Sequence, residues 1–203
     1  MFTVASCLLL GGLGAACSPQ NHDPASRRES GHAAVQKTPG NGAPRDTGEA
    51  ARAEAGFLLM QSERLGPLRL GLPAGEVLKV LGKPDEQSER SVWAADGAEH
   101  QTWRYAARGI VLGMIAEDEG SRQQIDRITV SDPCRYRTTR GIGIGSSRGE
   151  VLEAYRNEIA PGSGDREEGS RDGMVVAGSL YGGVVFTITR DKVAAVFLGA
   201  GAE

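Results

Sequence analysis

The chain has 203 residues, 39% of them hydrophobic and 24% charged, with 23 basic against 26 acidic side chains. A formal charge of −3 is too small to argue for nucleic-acid binding or for long-range steering of a charged partner. Cys7 and Cys17 lie near the start and Cys134 stands alone in the remainder, which excludes an internal disulfide there.

Phe2 to Ala16 carries no charge and is mostly apolar. Such a run is too short to cross a bilayer as a helix. Ser18, Pro19, Asn21 and Asp23 follow at once, which argues against a buried helix and for a secretory signal. Leu13-Gly14-Ala15-Ala16-Cys17 brings small residues up to a cysteine. Residues 1–17 thereby resemble a bacterial lipoprotein signal with its lipobox, with an uncleaved anchor or plain secretion as the alternatives. The resemblance implies that Cys17 is acylated, palmitate being one of the chains, and becomes the first residue of the mature protein. Ser18 after the cysteine implies sorting to the outer membrane with the head facing the periplasm.

Residues 18–56 read as a disordered tether. Pro19, Pro24, Pro39 and Pro44 interrupt them, and no apolar periodicity offsets the entropy of ordering. A flexible chain of that length has an r.m.s. span of roughly 35 Å, enough to lift a globular head clear of lipid. His22 and His32 fall here and carry no role.

The head, from residue 57 on, contains an internal repeat. Gly71, Gly75, Glu76, Val77 and Leu78 recur 74 positions later as Gly145, Gly149, Glu150, Val151 and Leu152. The same offset aligns Gly109-Ile110-Val111-Leu112 with Gly183-Val184-Val185-Phe186. Spacing shared at two distant places argues for duplication of a whole supersecondary unit, with repeat 1 over 57–131 and repeat 2 over 132–203.

In the first copy Leu68, Leu70 and Leu72 alternate with Arg69 and Gly71, which predicts a half-buried strand. Pro73 favours a helix start, Val77, Leu78 and Leu81 form one apolar face, and Gly82-Lys83-Pro84 ends the helix. Strands are expected at Val92-Trp93, Gln101 to Tyr105, Ile110 to Ile115 and Ile125 to Val130, with a long hairpin loop around Glu117-Asp118-Glu119-Gly120. Asp132-Pro133 separates the copies. In the second copy Ser147 and Glu150 have capping-box spacing, and the helix they open is expected to run on to Ile159. Strands follow at Met174 to Leu180, Val184 to Thr189 and Val193 to Leu198. Strand-helix-strand-strand-strand, twice, predicts an α+β fold: antiparallel sheet with the helices on one face.

The run G-L-P-A-G-E-V-L-K-V-L-G-K-P-D from Gly71 to Asp85, followed by W-x-Y at Trp103 and Tyr105, resembles the SmpA/OmlA family of outer-membrane assembly lipoproteins. The tandem arrangement is similar to the β-lactamase inhibitor protein fold. The resemblance implies that fold and a tendency to bind proteins, and transfers no binding residue.

Several constellations invite chemistry. Gly141-x-Gly143-x-Gly145-Ser146-Ser147-Arg148 lacks the Gly-Lys-Ser/Thr of a phosphate loop, and copy one makes the same turn with Leu72, Pro73 and Ala74. His100 sits in the polar stretch Asp96 to Gln101 and reads as a solvated turn histidine. No His or Cys pair has zinc spacing. The acidic stretches at Glu117 to Glu119 and Asp165 to Asp172 lack alternating calcium ligands. Cys134 reads as a small buried residue rather than a nucleophile.

Arg127, Arg135, Arg137, Arg140 and Arg148 cluster near the junction of the copies with Tyr136, residue types favoured at interface centres. Trp93, Trp103 and Tyr105 are the large aromatics of copy one. Trp103 and Tyr105 share a sheet face and are replaced by Ala177 and Ser179 in copy two, so they belong either to the core or to a partner surface.

The expected function is a non-enzymatic, envelope-tethered lipoprotein whose head binds another envelope protein. Trp93, Trp103, Tyr105, Arg135, Tyr136, Arg137 and Arg140 are the candidate partner-binding residues. No cofactor, metal or nucleic acid is expected. The alternative is a small-ligand or peptidoglycan-contacting module built on the junction arginines. Replacing the acylated thiol tests the tether: Cys17→Ser should release the protein from membranes and block its processing, as read by fractionation and by the mass of the mature chain. Unchanged membrane retention with normal cleavage would overturn the lipobox reading.

Overall fold

The computed structural model describes residues 47–117, 121–159, 162, 171–179 and 181–201. The signal, Cys17, His22, His32 and tether residues 18–46 lie outside the described residues, as do parts of both acidic stretches.

The first described element is a helix, α1, over Thr47–Ser62. It begins inside the segment expected to be tether, so residues 47–56 are corrected from disordered to helical. Amphipathic periodicity is weak here because the contact surface is backbone as much as side chain. A Cβ on Gly56 would collide with the Gly182 carbonyl oxygen and meet the Ser179 nitrogen, so the helix sits directly on the sheet at its one glycine of contact. Leu59 enters the core and Met60 lies against Gly182.

Beyond α1 the chain makes tight turns rather than the strand expected over Leu68 to Leu72. Leu65 and Leu68 bond each other through reciprocal N–H to carbonyl contacts of 2.9 and 3.0 Å. Gly71 then takes φ 72°, a left-handed conformation that glycine tolerates and that ends any extended pairing. Helix α2, Ala74–Leu81, follows Pro73, buries Val77 and Leu81, and ends where the Gly82 N–H bonds the Leu78 carbonyl.

Next come β1 (Glu86–Gln87), β2 (Ser91–Val92), β3 (Glu99–Tyr105), a 3-10 turn at Ala106–Arg108, β4 (Ile110–Ala116) and β5 (Gln124–Ser131). Helix α3, Arg148–Ala154, carries the capping box: Ser147 Oγ accepts from the Glu150 N–H, and Glu150 accepts from the Ser147 N–H at 2.6 Å. The two Ser147 bonds hold the Glu150 carboxyl below its ordinary range. The helix stops at Ala154 instead of running to Ile159, because Ile159 is drawn away to bridge Ala177. Strands β6 (Gly173–Ser179), β7 (Gly182–Thr189) and β8 (Lys192–Gly199) complete the fold.

All eight strands join one antiparallel sheet in the order β1-β3-β4-β5-β8-β7-β6, with β2 also paired to β3. With three helices beside it, the fold is α+β, as expected. One face of the sheet carries the core: Trp103, Tyr105, Leu112, Ile128, Val175, Phe186, Val196 and Leu198 join Val77, Leu81, Val151 and Tyr155 from the helices in a single cluster.

The two halves share detailed geometry. Strand β3, Glu99–Tyr105, and β6, Gly173–Ser179, are offset by the same 74 positions at both ends. Gly71 N–H bonds the Ile125 carbonyl and Ile125 N–H the Leu72 carbonyl; Gly145 and Val193, then Val193 and Ser146, repeat this. The sheet register shifts at Gly113/Met114 in β4 and at Thr187/Ile188 in β7.

A buried carboxylate locks α1 to the junction. Glu63, 2% exposed, accepts from Tyr155 Oη at 2.8 Å, from the Thr139 N–H at 2.6 Å, from the Thr139 hydroxyl and from the Arg64 N–H at 3.0 Å. Four donors make burial of the charge tolerable.

Gly56→Ala tests the close approach of α1. Overpacking a backbone contact should cost at least about 2 kcal/mol, measured by urea denaturation, whereas Ala55→Gly should cost only about 1 kcal/mol through helix propensity.

Candidate functional site

Strand side chains alternate between sheet faces. Opposite the core, register sets one row across the sheet: Arg104, Val111, Thr129, Phe197, Val185 and Val176. Val111, Thr129, Phe197 and Val185 are half-buried, and none of these apolar residues packs against the core cluster. No described helix covers this face. The neighbouring row runs through Gly113, Arg127, Gly199 and Gly183. A Cβ on Gly113 would collide with the Arg127 side chain, which therefore lies across the missing side chain.

Trp93 stands over one end of this face. The hairpin between β2 and β3 folds back through Trp93 N–H to Ala98 carbonyl at 3.0 Å and Gly97 N–H to Trp93 carbonyl at 2.8 Å. That turn lays the Trp93 ring on the His100 ring, centroids 3.9 Å apart and planes 15° apart. The Arg127 guanidinium approaches the same indole at 5.1 Å, a cation–π distance. Trp93 remains 40% exposed, whereas His100 beneath it is 4% exposed.

His100 is thus corrected from a solvated turn residue to a buried one. It opens β3 and points to the open face, but Trp93 roofs it. Its Nε2 lies 2.8 Å from Asp96 Oδ2, and its Nδ1 lies 3.6 Å from Asp126 Oδ2. The Ala98 N–H first, and then the His100 bond, hold the Asp96 carboxyl below its ordinary range.

The other expected site residues divide. Trp103 and Tyr105 are corrected from partner surface to core, at 4% and 2% exposure. Trp103 Nε1 donates to Gln101 at 2.8 Å, and Tyr105 Oη donates to the Gly82 carbonyl at 3.1 Å, tying β3 to the end of α2. Burial pushes the Tyr105 hydroxyl up to about 12. Ala177 and Ser179 fill the equivalent places and are buried too. The sequence showed that the fold tolerates small residues there, and the structure shows that it also tolerates large ones.

The junction arginines are mostly structural. Arg137 donates to the Gly141 carbonyl at 2.7 Å. Arg140 forks onto Glu158 with two 2.9 Å bonds, donates to the Ala154 carbonyl at 2.7 Å and stacks 4.5 Å above the Tyr155 ring. Glu158 raises the Arg140 pKa. Arg148 is buried, and Tyr136 is half-buried against Gly66. Arg137 and Arg140 bond the junction loop and the end of α3, and Tyr136 packs on Gly66, so these side chains are engaged within the fold. Arg135, Arg137 and Arg140 are exposed, and Arg135 lies beside a shallow cavity of about 240 Å³ lined by Arg108, Ile110, Pro133, Cys134 and Tyr136. Burial pushes the Cys134 thiol up, which disfavours the thiolate.

Two features escaped the sequence reading: the Glu63 anchor and the Trp93–His100 stack. The Asp96-Gly97 turn was the signal for the second, since a hairpin there returns residue 93 towards residue 100. Among the described residues no group of three or more His, Cys, Asp or Glu side chains is placed to hold a metal ion, and no helix is long and apolar enough to cross a membrane. No protein-family model, curated protein or solved structure matches the chain.

Tyr105→Ala separates core from surface. Removing this buried ring should lower stability by roughly 3–5 kcal/mol, measured by chemical denaturation. A change under about 1 kcal/mol would return Tyr105 to the surface.

Proposed function

We propose that this chain is a membrane-tethered, non-enzymatic envelope lipoprotein whose duplicated head binds another envelope protein through its open sheet face. The observation that carries the docking reading is the row Val111, Thr129, Phe197 and Val185, half-buried apolar or small side chains over which no described helix lies. Isolated apolar side chains are common on surfaces, but a contiguous uncovered sheet face favours interaction. Trp93 extends that face as an exposed aromatic, a residue type favoured as an interface anchor.

Duplication is supported by recurrence of backbone bonds, bulges and strand lengths at fixed offsets. The middle of the sheet adds a further point. In the β5–β8 pairing Thr129 faces Phe197, while Ile128 faces Leu198 and Val130 faces Val196. That register is the one a pseudo-two-fold axis between the middle strands would give, which supports the duplication reading.

The N-terminal signal, Cys17 and the tether support an envelope address, with the outer membrane facing the periplasm as the favoured side. A second reading, an anion-binding module, draws on the cavity between Arg108 and Arg135. The open face is larger and better ordered by register, so docking is preferred.

Affinity capture from native envelopes tests the reading. Thr129→Arg at the centre of the face and Trp93→Ala at its end should each reduce retained partner by at least roughly 30-fold, the scale of a hot spot. Melting temperature should fall by only a few degrees. Undiminished capture by both variants would overturn docking on this face.

A further inference from the structure

His100 faces charge on both sides of its ring. Asp96, from the β2–β3 turn, meets Nε2 at 2.8 Å. Asp126, from β5, meets Nδ1 at 3.6 Å, and Arg127 from the same strand lies 3.4 Å from that Asp126 oxygen. On β3 itself Glu99 is paired with Arg90 at 3.1 Å. β4 presents Ile115 opposite His100 and β2 presents Ser91, neither charged.

Two buried atoms here have no hydrogen-bond partner: His100 Nδ1 and Asp126 Oδ1. A neutral imidazole donates from one nitrogen only. With Nε2–H on Asp96, Nδ1 presents a lone pair to a carboxylate. Doubly protonated, the ring donates at both ends, and Nδ1–H can close the 3.6 Å gap to Asp126. One proton thereby gives the orphaned Nδ1 a partner in Asp126 Oδ2, the oxygen that also accepts from Arg127, and orphaned buried polar atoms are costly.

We propose that His100 is a proton-operated clamp for Trp93, bridging Asp96 and Asp126 when protonated and thereby fixing the stacked indole at the edge of the open face. The clamp deepens the docking reading, since it rests on Trp93 belonging to the docking surface, and makes that surface responsive to pH. Imidazole is the side chain whose charge ordinarily changes between about pH 5 and 8, the window an envelope compartment meets when its surroundings acidify. Sign follows from geometry: the bridge exists below the titration and is lost as pH rises through it.

The test uses the full chain without any partner. Amide hydrogen exchange, corrected for intrinsic pH dependence, is measured over the Trp93 to Ala98 turn at pH 5.5 and pH 8, with tryptophan fluorescence in parallel. Trp93→Phe identifies the signal of Trp93 against that of buried Trp103. The wild type should protect the turn at least about tenfold more at pH 5.5, the scale of one charge-assisted hydrogen bond. Asp126→Asn and His100→Gln should bring that ratio to about one. Equal protection at both pH values in the wild type overturns the clamp, and so does greater protection at pH 8 or an undiminished ratio in Asp126→Asn. Asp126→Asn preserves shape but removes the charge and replaces one acceptor oxygen with an amide donor, so it reads the clamp even where His100→Gln fails to fold. Partner capture plays no part here, so failure of the clamp leaves docking standing, and failure of Thr129→Arg to affect capture leaves the clamp standing.

Discussion

Pairing of β5 with β8 is the constraint on which the molecule depends. Each half supplies three long strands with one apolar face. Joining them edge to edge through Ile128, Val130, Val196 and Leu198 makes a single core cluster that draws side chains from both halves. The seam also removes two sheet edges, whose unpaired backbone groups would otherwise invite pairing with other chains. Everything else, helix placement included, follows from closing that seam in antiparallel register.

The described helices lie on one face, and a polar anchor fixes the covering. Glu63 is a charge in a place where charge is expensive, and its burial is tolerable because Tyr155 and Thr139 converge on it from elements far along the chain. The node couples the end of α1 to α3 and to the junction loop. Arg140, lying over the Tyr155 ring and forked onto Glu158, closes the arrangement from outside. The junction is therefore rigid for reasons of internal hydrogen bonding, and its arginines are used up in making it so.

No described helix covers the opposite face. Its rows are set by register: Phe197 and β-branched residues at the centre, a glycine line crossed by Arg127, and a Trp93 roof over His100. Rigid strands supply the platform, while the turn that carries Trp93 is held by a few backbone bonds and the Asp96 carboxylate. That division places the adaptable part of the surface at its edge, where protonation of one ring can act on it.

Local chemistry was legible in the sequence. The glycines at 71 and 145, the capping box at Ser147 and Glu150, the strand runs and the 74-residue offset all rest on backbone preference and periodicity, which act within a few residues. The helix of α1 was not legible, because it is stabilised by contact with Gly182 and Ser179 rather than by an apolar stripe of its own. Alternation placed Trp103 and Tyr105 on one face but not which face the helices would cover, and tertiary packing put them inside. His100 looked solvated because its neighbours are polar, and became buried when a hairpin turn laid Trp93 over it. The arginine cluster is close in sequence, yet Arg137 and Arg140 spend their charge on Gly141 and Glu158. Sequence fixes what each segment prefers; only the assembled sheet decides which faces meet and which polar groups are left to find partners across it.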